Sequence, residues 1–255
     1  MIKRILLLLI FISFLSSCSN QTAKLLGGSD KELYDSIQSE LSKKKTLGVF
    51  GGPRYTRIED LILTLQVRYP YSELTREVSL INGDVSYKTK KFYEAIEDYK
   101  SFIEEQPNHP KINYATYMIA RSYEKLMTAT DKDMAPSVEL IKLYENIDES
   151  LKNSDYITEM KKIYFKAKLF LLDRTIYIAN FYIKKESYDS SLSRIIESEK
   201  VIESLISINP EAQYIKTFST IKLSSDIDKN NLIEDYKNRF PKEKEFIENL
   251  EEIDN

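Results

Sequence analysis

Cysteine, histidine and tryptophan are almost missing from this chain: one, one and none in 255 residues. A single cysteine excludes an internal disulfide, so stability has to come from packing. One histidine and one cysteine cannot build the ligand cluster of a zinc or transition-metal site, and scattered carboxylates do not replace it, so no metal is expected. Nucleophile-elbow, H-E-x-x-H and Walker patterns are absent too. The lone His109, between Asn108 and Pro110, reads as a turn or helix-cap residue rather than a general base. No catalytic residue and no cofactor are therefore expected. Only six glycines occur, each near a turn or a helix end except Gly83, as in a chain of long helices. Neither sign of charge dominates, with 37 basic against 40 acidic residues and a formal balance of −3, so nothing invites nucleic acid.

What is present begins with the cysteine's position. Lys3 and Arg4 form a positive start, Ile5 to Phe14 an apolar stretch, and Leu15-Ser16-Ser17 a small-residue site just before Cys18. The apolar run stops near Leu15, well short of the roughly 20 residues a membrane-spanning helix needs. The order fits a secretory signal, and Leu-Ser-Ser-Cys resembles the lipobox of bacterial lipoproteins. The expected division is a signal peptide over 1–17, removed on export, and a lipidated tether over 18–28 that begins at Cys18. The covalent lipid on Cys18 then takes the place of any cofactor, because several acyl chains anchor far more firmly than one. Loss of Lys3 and Arg4 moves the formal balance from −3 to −5. Ser19 resembles the pattern of lipoproteins sorted to the outer membrane.

Beyond the tether the chain reads as charged helices with apolar stripes. Ser29 and Glu32 form a capping box that opens a helix running to about Lys44. The segment Thr46–Pro53, with Gly48, Gly51 and Gly52, breaks it as a turn; it lacks the Lys-Ser/Thr of a phosphate loop. Lys43-Lys44-Lys45 reads as a solvated helix end. A second helix from about Tyr55 to Val67 carries Ile58, Leu61, Ile62 and Leu65 on one face and stops before Arg68-Tyr69-Pro70-Tyr71.

The next two helices carry the clearest pattern. Gly83, Ala95, Tyr99 and Pro107 fall at offsets of 12, 16 and 24 from the glycine, the small–small–aromatic–proline frame of a tetratricopeptide repeat. Glycine and alanine let two helices approach closely, and Tyr99 fills the space beside them. A third pair is expected from Ile112 to Leu126, with Ala120 and Tyr123 in the frame, and over a helix carrying Leu140, Ile141, Tyr144, Ile147 and Leu151. A fourth runs over Glu159–Lys184 and Ser187–Ile208, where Ala179 and Ser191 repeat the 12-residue offset but Pro210 comes seven residues late, implying a helix about two turns longer. A fifth runs over Glu211–Leu223 and Asp228–Phe240. Each hairpin alone leaves an apolar face in water, so the expected fold is an all-α, tetratricopeptide-like α-solenoid of about five helix-turn-helix repeats over 29–241, with 242–255 as an acidic cap or tail. Such a scaffold holds proteins or peptides. Among eighteen tyrosines, Tyr69, Tyr71, Tyr114 and Tyr117 lie at unit junctions where a ring and a hydroxyl suit an extended peptide.

Taken together, Leu15 to Cys18, Arg68-Tyr69-Pro70-Tyr71-Ser72, the stretch Tyr93 to Pro110 and above all His109-Pro110-Lys111-Ile112-Asn113-Tyr114-Ala115-Thr116-Tyr117-Met118 resemble the BamD, or YfiO-type, lipoproteins of the outer-membrane β-barrel assembly machinery. The resemblance covers residues 15 to about 126, and beyond that only the helical layout. It implies a lipid-anchored protein on the periplasmic face of the cell outer membrane. Its N-terminal repeats would receive the C-terminal strand of unfolded outer-membrane proteins, and its C-terminal repeats, within 187–240, would bind a BamA-like barrel protein. It places the substrate groove at Arg68, Tyr69, Tyr71, Tyr114, Tyr117 and Arg121, with Arg68 or Arg121 meeting a terminal carboxylate. The chain departs from the family in the long Thr46–Pro53 loop and the long helix before Pro210. The competing reading is a generic repeat lipoprotein scaffold for another envelope or cell-wall complex; an enzyme is more remote still.

Overall fold

The computed structural model describes residues 28–46, 50–129, 133–224 and 226–254. The signal, Cys18 and the tether up to Gly27 lie outside these residues, as does Gly48. The described residues form two compact units that part between Ser122 and Tyr123. Among them no helix is long and apolar enough to cross a membrane.

The first unit opens with α1 (Asp30–Leu41), nucleated by the capping box: the Ser29 N–H donates to Glu32 Oε2 at 2.8 Å while the Ser29 side chain accepts from the Glu32 N–H. The helix ends three residues earlier than its apolar pattern suggested. After it Lys45–Thr46 (β1) and Phe50–Gly51 (β2) pair antiparallel, Lys45 opposite Gly51 and Thr46 opposite Phe50. This two-residue ladder is an addition to the all-α expectation. At its outgoing end Gly51 and Gly52 take φ of 81° and 93°, a conformation that admits glycine without strain. Then come α2 (Tyr55–Arg68), α3 (Glu73–Lys88), α4 (Phe92–Glu105) and the beginning of α5 (Ile112–Ala129). Helix α2 packs on α1 and α3, and α3 on α4. Leu33 and Ile37 of α1, Ile58, Leu61, Ile62 and Leu65 of α2, and Val78 and Val85 of α3 share one core. Each such aliphatic side chain contributes roughly 1.5–3 kcal/mol of burial.

The second unit continues from Tyr123 through α6 (Ala135–Glu145), α7 (Glu149–Lys152), α8 (Ile157–Ile183), α9 (Tyr188–Ile206), α10 (Pro210–Leu223), α11 (Lys229–Arg239) and α12 (Lys244–Glu251), closing on a 3₁₀ turn, Glu252–Asp254. Three expectations change here. The single helix expected through Leu151 is two, because the Asn146 side chain donates back to the Lys142 carbonyl and Asp148 caps a new start by accepting from the Leu151 N–H at 2.8 Å. The long helix before Pro210 is kinked, with Ile202 at φ −128° and ψ 38°. At 19 residues against the 14 of α4, it exceeds its counterpart by less than the two turns expected. Pro210 does not end that helix but starts the next, at the first turn of α10 behind an Asn209 cap, where a missing N–H costs nothing. The acidic C-terminal stretch is a packed cap: α12 sets Leu250, fully buried, against Ile221, Ile233 and Tyr236.

The repeat frame appears in both units. The α3–α4 turn and the α8–α9 turn each place a non-glycine residue in the left-handed region, Lys90 at φ 66° and Glu186 at φ 56°. In both, the next N–H returns to a carbonyl five residues back: Lys91 to Ser86, and Ser187 to Tyr182. These turns sit seven residues after Gly83 and after Ala179, the two frame residues. The protein is thus an all-α array of tetratricopeptide-like helix pairs.

Candidate binding site

The site grows out of the frame glycine. A Cβ on Gly83 would lie 2.6 Å from Cε1 and 2.7 Å from Cδ1 of Tyr99, so only glycine admits that ring between α3 and α4. Tyr99 is fully buried, and its hydroxyl donates to Asp84 Oδ1 at 2.7 Å. Burial first, and then the Asp84 carboxylate, push its phenol far above the ordinary range, so it is a permanent donor. Tyr114 of α5 donates to the same Asp84 oxygen at 2.7 Å, and its ring meets Tyr99 edge-on, with centroids 6.5 Å apart. One carboxylate therefore locks α3, α4 and α5 through two tyrosines.

Beside this clasp lies a cavity of about 370 Å³, lined by Leu41, Pro53, Tyr55, Asp84, Val85, Tyr87, Lys88, Tyr114, Met118 and Arg121. Its wall is aromatic and aliphatic, with two cations and one anion, as in sites that hold a mostly apolar ligand by a few fixed polar groups. Arg121 is positioned by Tyr117 on the preceding turn: its Nη1 donates to the Tyr117 hydroxyl at 2.8 Å, and its guanidinium carbon lies 5.8 Å from that ring's centroid. The far wall, where α1 gives way to Pro53, is fastened by Glu40. Its buried carboxylate accepts from Arg54 Nη2 at 2.5 Å and Lys43 Nζ at 2.6 Å, with Arg57 Nε 3.5 Å away. The Arg54 hydrogen bond foremost, with Lys43, holds the Glu40 carboxyl at about 2, against the cost of burial.

The six residues expected to form the groove divide in space. Tyr114 and Arg121 line the cavity, and Tyr117 joins it through Arg121. Arg68, Tyr69 and Tyr71 do not line it. Tyr69 donates its hydroxyl to the Gly28 carbonyl at 3.0 Å and Arg68 lies over the Tyr69 ring, while Tyr71 is 95% exposed. His109 is a turn residue: its Nδ1 accepts from the Lys111 N–H, and its ring packs edge-on against Phe102.

Asp84, Tyr87 and Lys88 are not among the residues the sequence pattern points to, although Tyr87 and Lys88 follow Asp84 by three and four and so share its helix face, as Met118 and Arg121 share that of Tyr114. Tyr55, Leu41 and Pro53 carry no such signal, because only folding brings α1 and the segment after β2 to that face.

Comparison with known proteins gives a consistent picture. The YfiO family model, described as outer membrane lipoprotein, matches residues 28–204. Three proteins called outer membrane protein assembly factor BamD are similar to the chain. The one from Caulobacter vibrioides is 24% identical over 193 residues, 74% of this chain and 62% of its own length. That from Neisseria gonorrhoeae is 24% identical over 223 residues, 79% of this chain and 77% of its own. That from Vibrio cholerae is 22% identical over 202 residues, 75% of this chain and 80% of its own. This chain thus spans less than two thirds of the Caulobacter relative.

Proposed function

We infer the function of this chain from its family: it belongs to the YfiO family of outer membrane lipoproteins. It acts as an assembly factor for outer-membrane proteins, the role named for its relatives. In this reading the chain is a non-catalytic scaffold, tethered to the outer membrane by lipid on Cys18. The first unit receives the C-terminal strand of an unfolded barrel protein, and the helices within 187–240 bind a BamA-like barrel partner.

One observation carries the substrate half: the aromatic cavity beside the Asp84 clasp holds Arg121 and Lys88 together with Tyr55, Tyr87 and Tyr114. A strand ending in an aromatic residue offers a ring and a carboxylate, and this wall supplies apolar area for the first and cations for the second. Arg121 serves the carboxylate better than Arg68, which lies outside the cavity. Its guanidinium is a planar fork of donors that matches the geometry of a carboxylate.

The test is binding of a peptide with an aromatic C-terminus, with and without an amidated end. A charged hydrogen bond of this kind is worth about 1.5–3 kcal/mol. Amidation or Arg121→Ala should therefore weaken binding by roughly tenfold or more, and the two changes together should cost little beyond either alone. Equal affinity of the acid and the amide would remove the carboxylate from the reading. Affinity purification of the lipidated chain should bring a barrel protein with tandem periplasmic domains; recovery of cell-wall proteins without it would favour the generic scaffold.

A further inference from the structure

The corner between α2 and α3 is built unlike the rest of the first unit. Leu63 and Val67 lie one helical turn apart on the outer side of α2, 60% and 71% exposed, and Tyr71 follows just past the helix end, more exposed still. Arg68 stands beside them, also exposed. Three large apolar side chains in water on one corner are costly, and the cavity does not use them.

The start of the described chain is fastened to this corner. The Gly28 carbonyl accepts from the Tyr69 hydroxyl at 3.0 Å, and Ser72 donates to Asp30 at 2.7 Å. Gly28, from which the chain leads back to Cys18, is therefore held at Tyr69 and Ser72, within the same α2–α3 corner as Tyr71. Cys18 and Gly28 lie ten positions apart in the chain. Fully extended, this stretch reaches at most about 36 Å, and as a flexible chain about 17 Å. Residues 19–27 carry Lys24 and no acid, so they do not repel an anionic surface.

We propose that the Leu63–Val67–Arg68–Tyr71 corner is a second membrane contact, resting on the phospholipid interface next to the lipid anchor. Tyrosine and arginine suit that layer, an apolar body with a polar tip at headgroup level, and Leu63 and Val67 enter the acyl boundary beneath them. A patch this small would not hold a free protein on a bilayer. Tethering converts its binding into a local event at high effective concentration, so a weak contact is populated. Arg68 adds attraction to anionic headgroups, which salt screens. The inference rests on the family's lipid anchor and not on the assembly role, which needs the cavity.

The experiment uses the lipidated full chain in vesicles of phosphatidylcholine and phosphatidylglycerol with brominated acyl chains. An environment-sensitive dye is placed at Tyr71→Cys, or at the exposed Glu104→Cys of α4 as control. Lipid occupies the sulfur of Cys18, so each label is unique. The expected result is bromolipid quenching several-fold stronger at 71 than at 104, reduced by Leu63→Ser/Val67→Ser, both surface changes. Twenty flexible residues inserted after Ala23 triple the tether, and by the three-halves power of length the populated contact should fall about fivefold. Free access of aqueous iodide to position 71, equal to that at 104 and without bromolipid quenching, would overturn the proposal. So would protection from both quenchers, which would mean that protein covers the corner. Quenching unchanged by the longer tether would remove the anchor from the argument and with it the proposal. Peptide binding in the cavity is unaffected by any of these outcomes.

Discussion

At the scale of single residues, Gly83 and Glu40 decide much of how the first unit is put together. Gly83 is required by contact and not by its backbone angles, since its Cβ would overlap the Tyr99 ring at 2.6 Å. Gly83→Ala should cost about 1–3 kcal/mol in urea unfolding despite the better helix propensity of alanine. Pairing it with Tyr99→Leu should recover part of that loss, because the ring is what the methyl meets; full additivity of the two changes would show that the overlap is not the cause. Glu40 gives a pH dependence. Its folded value of about 2 lies below the ordinary 4.5, so the folded state takes up its proton less readily than the unfolded chain does. The contribution is complete above about pH 4.5 and is lost as pH falls from there towards 2. Because Arg54 and Lys43 are about half exposed, solvent screening leaves on the order of 2 kcal/mol. Glu40→Gln should flatten that limb of the stability curve measured by chemical unfolding between pH 6 and 2, while an unchanged limb would assign it to other carboxylates.

At the scale of elements, the repeat is defined by its turns as much as by its small residues. Lys90 and Glu186 occupy the same left-handed turn in two different helix pairs, a conformation that costs an L side chain about 1–2 kcal/mol. Lys90→Gly or Glu186→Gly should therefore raise stability by about 0.5–1 kcal/mol after the entropy of glycine in the unfolded chain is counted, read as a rise in the urea midpoint. The 12-residue spacing of Gly83 to Ala95 and of Ala179 to Ser191 made these pairs legible. In the second, the Ser191 hydroxyl donates to the Ala179 carbonyl at 3.0 Å, a hydrogen bond that holds the small residues together. Less legible were the break at Asn146 and the kink at Ile202. Asn146 ends its helix by a side-chain bond that competes with the helix itself, and Ile202 sits in an unbroken apolar pattern with neither glycine nor proline to mark it.

At the scale of the whole molecule, two units and a packed C-terminus follow from burial that no local pattern announces. Leu250 lies in the acidic end of the chain yet fills a core with Ile221, Ile233 and Tyr236, so Leu250→Ala should cost about 2–5 kcal/mol in the second unit's unfolding transition. Wild-type stability of that variant would show the terminal helix to be dispensable. The apolar periodicity determined the helix pairs, and the small–small–aromatic frame their packing, because both are written every three to twelve residues along the chain. The sequence also marked tyrosines at unit junctions as residues whose ring and hydroxyl suit an extended peptide. Only the tertiary structure decided which of those tyrosines and arginines act together. It placed Tyr114, Tyr117 and Arg121 at one cavity with Asp84, Tyr87 and Lys88, and left Arg68, Tyr69 and Tyr71 on another corner. The physical reason is that helical spacing fixes which residues share a face, whereas the partner of that face is chosen by the packing of α1 and of the segment after β2, tens of residues away in the chain.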